Sequence, residues 1–197
     1  MKARVAKLGH IGLAVEDLDR SVDFYVNVLG MKLTERFAYP KEKVGHGVTV
    51  REGAFVRCDA THHVLSIFVL SDPDTSQPAK PRLGLHHIAF ELPSPEALLQ
   101  LYRDMSALGV VVNARRGGPG NQPRFYARDP DNNLLEFYWG IDQIGWDGLA
   151  RSYDPIQEID LSAFDFSAFV EQREEASKRL HNRVGGSEDV SSGSISS

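Results

Sequence analysis

Three side chains in this sequence have the types and settings of metal ligands. His10 opens the run His-Ile-Gly-Leu-Ala-Val, His87 opens His-Ile-Ala-Phe-Glu-Leu, and Glu136 lies inside Leu-Leu-Glu-Phe-Tyr-Trp. An ionised carboxylate in so apolar a strand is costly to bury without a partner, and a metal cation is a common way to supply one. Two imidazoles and one carboxylate leave coordination positions open for a substrate and for O2, the ligand set of non-haem Fe(II) oxygenases. Mn(II) or another divalent metal accepts the same donors. Two other readings stay open: Glu136 pairs with Arg57 or Arg128 in a structural ion pair, or His86 takes the place of His87 if the strand register slips by one.

Such ligands need elements that bring them together, and an internal repeat supplies them. Each histidine opens a short alternating strand that runs into a helix. The first helix is predicted over about Leu18 to Leu29, with Val22, Tyr25 and Leu29 at helical spacing and Gly30 past its end. The second starts at Pro95, carries Leu98, Leu101, Met105 and Leu108 as its buried stripe, and stops at Gly109. Period-two segments follow at Met31 to Phe37 and at Val110 to Asn113. Ala54 to Asp59 then lines up with Arg124 to Asp129, and His63 to Phe68 with Asn133 to Tyr138. Val44 to Val50 reads as a longer strand or hairpin closed near Glu52-Gly53. The predicted fold is α+β: two βαβββ modules paired around a shared metal-binding cleft, in which His10 and His87 are equivalent positions. The first-half counterpart of Glu136 is Ser66, a poor ligand, so the expected set has three protein ligands and not four.

The modules are expected at 1–70 and 84–140. A proline-bearing linker, 71–83, joins them, and a C-terminal extension with a helix, 141–182, and a flexible Gly/Ser tail, 183–197, follow. Within the extension, Asp142 to Pro155 reads as irregular and Ser162 to Leu180 as an amphipathic helix capped at Ser162. The 197 residues are 42% hydrophobic and 25% charged, with no apolar run near the roughly 20 residues of a membrane-spanning helix. Lys and Arg number 22 against 27 Asp and Glu, a net charge of −5, which gives no field that would attract nucleic acid. The one cysteine, Cys58, cannot form an internal disulfide, and the first residues lack a secretory signal, so the cytoplasm is the expected compartment. Exposed sheet edges make a homo-oligomer, a dimer or larger, the expected assembly.

The two-module pattern, the strand-opening histidines and Arg-Asp-Pro-Asp-Asn-Asn-Leu-Leu-Glu-Phe from Arg128 to Phe137 resemble the vicinal oxygen chelate superfamily, over about residues 5 to 140. More narrowly, Phe-Val-Arg-Cys-Asp-Ala-Thr-His-His from Phe55 to His63 resembles the type I extradiol dioxygenases, which cleave catechols beside the hydroxyl pair. The resemblance implies a small aromatic diol and O2 as substrates in aromatic-compound degradation, with Fe(II) held by His10, His87 and Glu136. It implies that His63 is the acid/base histidine and that Tyr126 hydrogen-bonds a substrate oxygen. Gly117 stands where relatives often carry another histidine on the substrate, and Arg116 or Asn121 is the expected substitute. The Arg-Arg-Gly-Gly-Pro-Gly-Asn loop lacks the Lys-Ser/Thr pair of a phosphate loop and is expected to form a mobile rim over the cleft. The rival functions are a metal-dependent glyoxalase-like isomerase or epimerase, and a metal-free protein that sequesters a small molecule.

Overall fold

The computed structural model describes residues 5–45, 48–71, 84–142 and 154–185. Most of the expected linker, most of the irregular stretch after Asp142 and the tail beyond 185 lie outside these residues.

The repeat seen in the sequence is a repeat of topology. The first module runs β1 (Ile11–Val15), α1 (Leu18–Asp23), β2 (Lys32–Gly45), β3 (Val48–Arg57) and β4 (Leu65–Leu70). The second runs β5 (Ile88–Glu91), α2 (Pro95–Ala107), β6 (Val111–Arg116), β7 (Arg124–Arg128) and β8 (Leu134–Tyr138). Among the described residues the first sheet has the order β1-β4-β3-β2 and the second β5-β8-β7-β6-β9, where β9 is Gln157–Glu158. α3 (Phe166–Gly185) follows β9. This α+β arrangement has in each module the βαβββ order that the repeat implies. No helix among the described residues is long and apolar enough to cross a membrane.

The chain divides into two compact units that cut across the repeat. The first holds Met1–Ala89, Arg103–Val112 and Tyr126–Glu136; the second holds Phe90–Tyr102, Asn113–Phe125 and Phe137–Ser197. In the first unit β1 pairs parallel with β4, and alternation puts Leu13, Val15, Leu65, Ile67 and Val69 on a buried face with Val22 and Tyr25. In the second unit Phe125 stacks on Phe137, and Phe137 on Phe90, with ring centroids 5.0 and 5.7 Å apart. There the extension is built in: Arg115 and Arg116 of β6 pair antiparallel with Glu158 and Gln157, and Phe169 of α3 is buried 6.3 Å from the Trp139 ring.

Several expectations are corrected. The first helix keeps its start at Leu18, where Asp17 caps it, but from Phe24 to Val28 it is a π-helical turn, with Leu29 N–H donating to Phe24 O at 3.1 Å. The wider turn admits one extra residue, so adjacent Phe24 and Tyr25 are both buried. Leu108 is 56% exposed because α2 ends at Ala107. No hairpin closes at Glu52-Gly53: β3 runs through both, and Gly53 sits mid-strand opposite Phe37. A Cβ there would stand 2.6 Å from both Ile67 O and Phe37 Cζ, so this glycine serves close approach and not a turn. Finally, α3 is capped by Asp165, which accepts from Ala168 N–H at 2.9 Å, while Ser162 lies in a separate 3-10 turn, Leu161–Ala163.

Candidate metal centre

His10, His63, His87, Tyr126 and Glu136 all fall in the first compact unit. His10 immediately precedes β1 and His87 immediately precedes β5, so each imidazole sits on a strand end whose backbone is fixed by its ladder. Glu136 is the central residue of β8 and its side chain is only 7% exposed.

The structure brings these residues together as two pairs. His87 Nε2 lies 3.1 Å from Glu136 Oε2. The His10 ring lies against that of His63, with centroids 4.6 Å apart. Among the described residues no three His, Cys, Asp or Glu side chains are gathered closely enough to hold a metal ion together. Glu136 faces His87, while Arg57 donates to Asp59 O at 2.9 Å and Arg128 to Asn132 O at 2.8 Å. His86 stands behind His87, the two Nδ1 atoms 2.7 Å apart. That contact fits the usual support of a ligating imidazole, whose second nitrogen is held by a neighbouring polar group.

The donors suit a divalent transition metal. Two ligands bonded at about 2.1 Å and at right angles stand about 3.0 Å apart, close to the separation of His87 Nε2 and Glu136 Oε2.

His63 is half-buried between β3 and β4. Its Nδ1 is 2.9 Å from His62 Nδ1, and His62 Nε2 is 3.7 Å from Glu35 Oε1. Burial, helped by the neighbouring His10 and His62 rings, holds the His63 imidazole below its ordinary pKa, against a smaller opposite pull from Glu35. Tyr126 of β7 meets the His87 ring edge to face at 6.0 Å.

An aromatic wall accompanies the histidines and was not anticipated from the sequence. Phe55 lies 4.5 Å from the His63 ring, and Phe37 and Phe68 follow at 5.2 and 6.4 Å from Phe55. Register puts Phe55 beside Ser66 and Gly12, and Phe37 beside Gly53 and Phe68, on the sheet face away from the helix-packed core. The available signal was the period-two placement of Phe55 two residues from Gly53, hidden because the glycine reads as a turn.

The loop expected to be a mobile rim is braced. Gly117, Gly118 and Gly120 all have φ between 76° and 82°, Gly118 N–H donates to Asp154 O at 2.8 Å, and buried Arg124 donates to Gly117 O at 2.8 Å. A Cβ on Gly117 would meet Pro155 O at 2.3 Å, which leaves no room for a histidine there. Asn121 is engaged by Asp142 and by Asp154 N–H, and Arg116 lies 4.0 Å from the Asp154 carboxylate. Both belong to the second unit and act as struts of this loop.

A sequence model described as the Glyoxalase/Bleomycin resistance protein/Dioxygenase superfamily matches residues 7–137. The chain is 28% identical over 133 residues to a biphenyl-2,3-diol 1,2-dioxygenase of Paraburkholderia xenovorans (strain LB400), covering 67% of this chain and 40% of that protein. It thus spans about two-fifths of that relative's length. It is also 33% identical over 93 residues to the mitochondrial methylmalonyl-CoA epimerase of Dictyostelium discoideum, covering 46% of this chain and 52% of the epimerase. In fold it is similar to a glyoxylase/bleomycin resistance protein/dioxygenase domain from Frankia sp. EAN1pec, with a TM-score of 0.52 at 20% identity over 71% of this chain and 95% of that one.

Proposed function

The chain belongs to the glyoxalase/bleomycin resistance protein/dioxygenase superfamily, and on that premise we propose that it is an Fe(II)-dependent extradiol dioxygenase that cleaves a catechol-type diol with O2. The observation that carries this reading is the buried Glu136 carboxylate facing His87 Nε2 at 3.1 Å. His10, His87 and Glu136 would hold the metal, with Mn(II) or another divalent ion as an acceptable substitute. The chemistry that a divalent iron supplies there is binding of the diol oxygens and of O2 side by side. Ser66, buried on β4, adds no fourth ligand. That argues against the isomerase and epimerase readings of the same fold.

The remaining work falls to protein side chains. Burial lowers the pKa of His63, which favours its neutral, proton-accepting form; with Nδ1 turned to His62, Nε2 is the atom that takes the diol proton and later returns it. The Tyr126 hydroxyl orients a substrate oxygen. Phe55, Phe37 and Phe68 form an apolar wall that orients the ring and excludes water. In the overall change one ring C–C bond beside the diol breaks and both atoms of O2 enter the ring-opened semialdehyde acid, so no outside reductant is consumed.

The test is anaerobic reconstitution with Fe(II), addition of a catechol panel, and admission of air while oxygen uptake and product absorbance are followed. Glu136→Ala should abolish metal binding, and His63→Ala should retain metal while losing about 10²–10⁴-fold in turnover. Absence of turnover on every catechol by the metal-loaded wild-type protein would overturn the assignment.

A further inference from the structure

The turn between β7 and β8 is held by residues of the first module. Asp129, 5% exposed, accepts four hydrogen bonds: from the Tyr25 hydroxyl at 2.8 Å, from Asp131 N–H at 3.0 Å, and from Asn133 N–H and Nδ2 at 2.7 and 2.9 Å. Four donors fill the acceptor capacity of a carboxylate, so Asp129 has none to spare for a substrate or a cation. Asp131 accepts from Glu16 N–H and the Ser21 hydroxyl, each at 2.8 Å, and from the Arg20 guanidinium at 3.1 Å. All these residues lie in the first compact unit.

Two strands meet this clamp: one is preceded by a candidate ligand and the other carries one. Glu16 directly follows β1, whose opposite end is flanked by His10. Asn133 directly precedes β8, which carries Glu136 at its third position. Tyr25 is fully buried and belongs to the π-helical turn, whose extra residue brings this phenol inward beside Phe24. Burial, then the adjacent Asp129, raise its pKa far above the ordinary phenol range, so the hydroxyl remains a donor.

We propose that Tyr25 is a positioning residue for the metal centre: its hydrogen bond to Asp129 fixes the β7–β8 turn against the first module and so sets Glu136 relative to His10. This rests on the reading that His10, His87 and Glu136 hold the metal. Partners hydrogen-bonded directly to a ligand affect metal affinity by about 10–100-fold when removed. Tyr25 acts one step further back, through Asp129, so its effect is at the low end of that range, and Tyr25→Phe removes only the hydroxyl while keeping the buried ring.

The experiment is Mn(II) titration of the full metal-free chain, with free Mn(II) read by electron paramagnetic resonance, alongside thermal unfolding of each variant. Tyr25→Phe should weaken Mn(II) binding by up to about 10-fold. Leu161→Val, a core change in the second compact unit, should lower stability and leave the affinity unchanged. Wild-type affinity in folded Tyr25→Phe would overturn the positioning role and leave the ligand assignment standing. Should Tyr25→Phe not fold, Asp129→Ala removes the acceptor of the same bond, and wild-type Mn(II) affinity in that variant would overturn the positioning role in the same way. If the wild type binds no Mn(II), or Glu136→Ala binds it normally, the ligand assignment fails and this inference falls with it.

Discussion

Tyr25 shows what one buried hydroxyl does to the response to alkali. An ordinary phenol ionises near pH 10, and burial beside Asp129 puts Tyr25 well above that. Below about pH 10 the phenol is neutral in native and unfolded chains, and the hydrogen bond contributes in full. Above it, the unfolded chain loses the proton while the native one keeps it, so this residue alone removes about 1.4 kcal/mol of stability per pH unit. Urea midpoints taken between about pH 9 and 11 should therefore fall more steeply in wild type than in Tyr25→Phe. Equal slopes would show that the phenol is not held as described. At this scale the sequence was partly legible: side-chain type and apolar setting identified Glu136 as a carboxylate needing a partner, and His87 is that partner at 3.1 Å. Pairings that depend on the tertiary meeting of distant segments, such as Tyr25 with Asp129 or His10 with His63, leave no mark on local spacing.

Elements were read more completely than side-chain partners, because apolar periodicity reports which face is buried. Both modules have the strand and helix order that the repeat implied. Periodicity does not report which carbonyl a given N–H chooses, so the change from α to π hydrogen bonding at Phe24 was invisible. Nor does it separate a glycine that turns the chain from one over which a neighbour passes, as Phe37 passes Gly53. Capping at α3 was misplaced for a related reason, since Ser162 and Asp165 are both plausible caps and tertiary packing starts the helix at Phe166. Asp165→Ala should cost about 1 kcal/mol in urea unfolding and Ser162→Ala much less, and the reverse order would return the cap to Ser162.

Across the whole molecule, the C-terminal extension is part of a packed unit and not an appendage. Leu161 and Phe169 are buried, and the Arg173 guanidinium donates to Ile141 O at 3.1 Å. Burial of two such side chains is worth about 1.5–3 kcal/mol each, so ending the chain after Asp142 should lower Tm by roughly 10 °C in scanning calorimetry. An unchanged Tm would mean that the extension is merely laid on the surface. Its short strand β9 has a further consequence for how copies of the chain can meet. Among the described residues β2 and β6 occupy equivalent positions in the two repeats, yet β9 covers the Arg115–Arg116 end of β6 while β2 ends its sheet uncovered. A β2-to-β6 contact between copies would be head to tail, able to run on as a fibre, and β9 obstructs it at that end of β6. A β2-to-β2 contact maps onto itself under a two-fold rotation and stops at a pair.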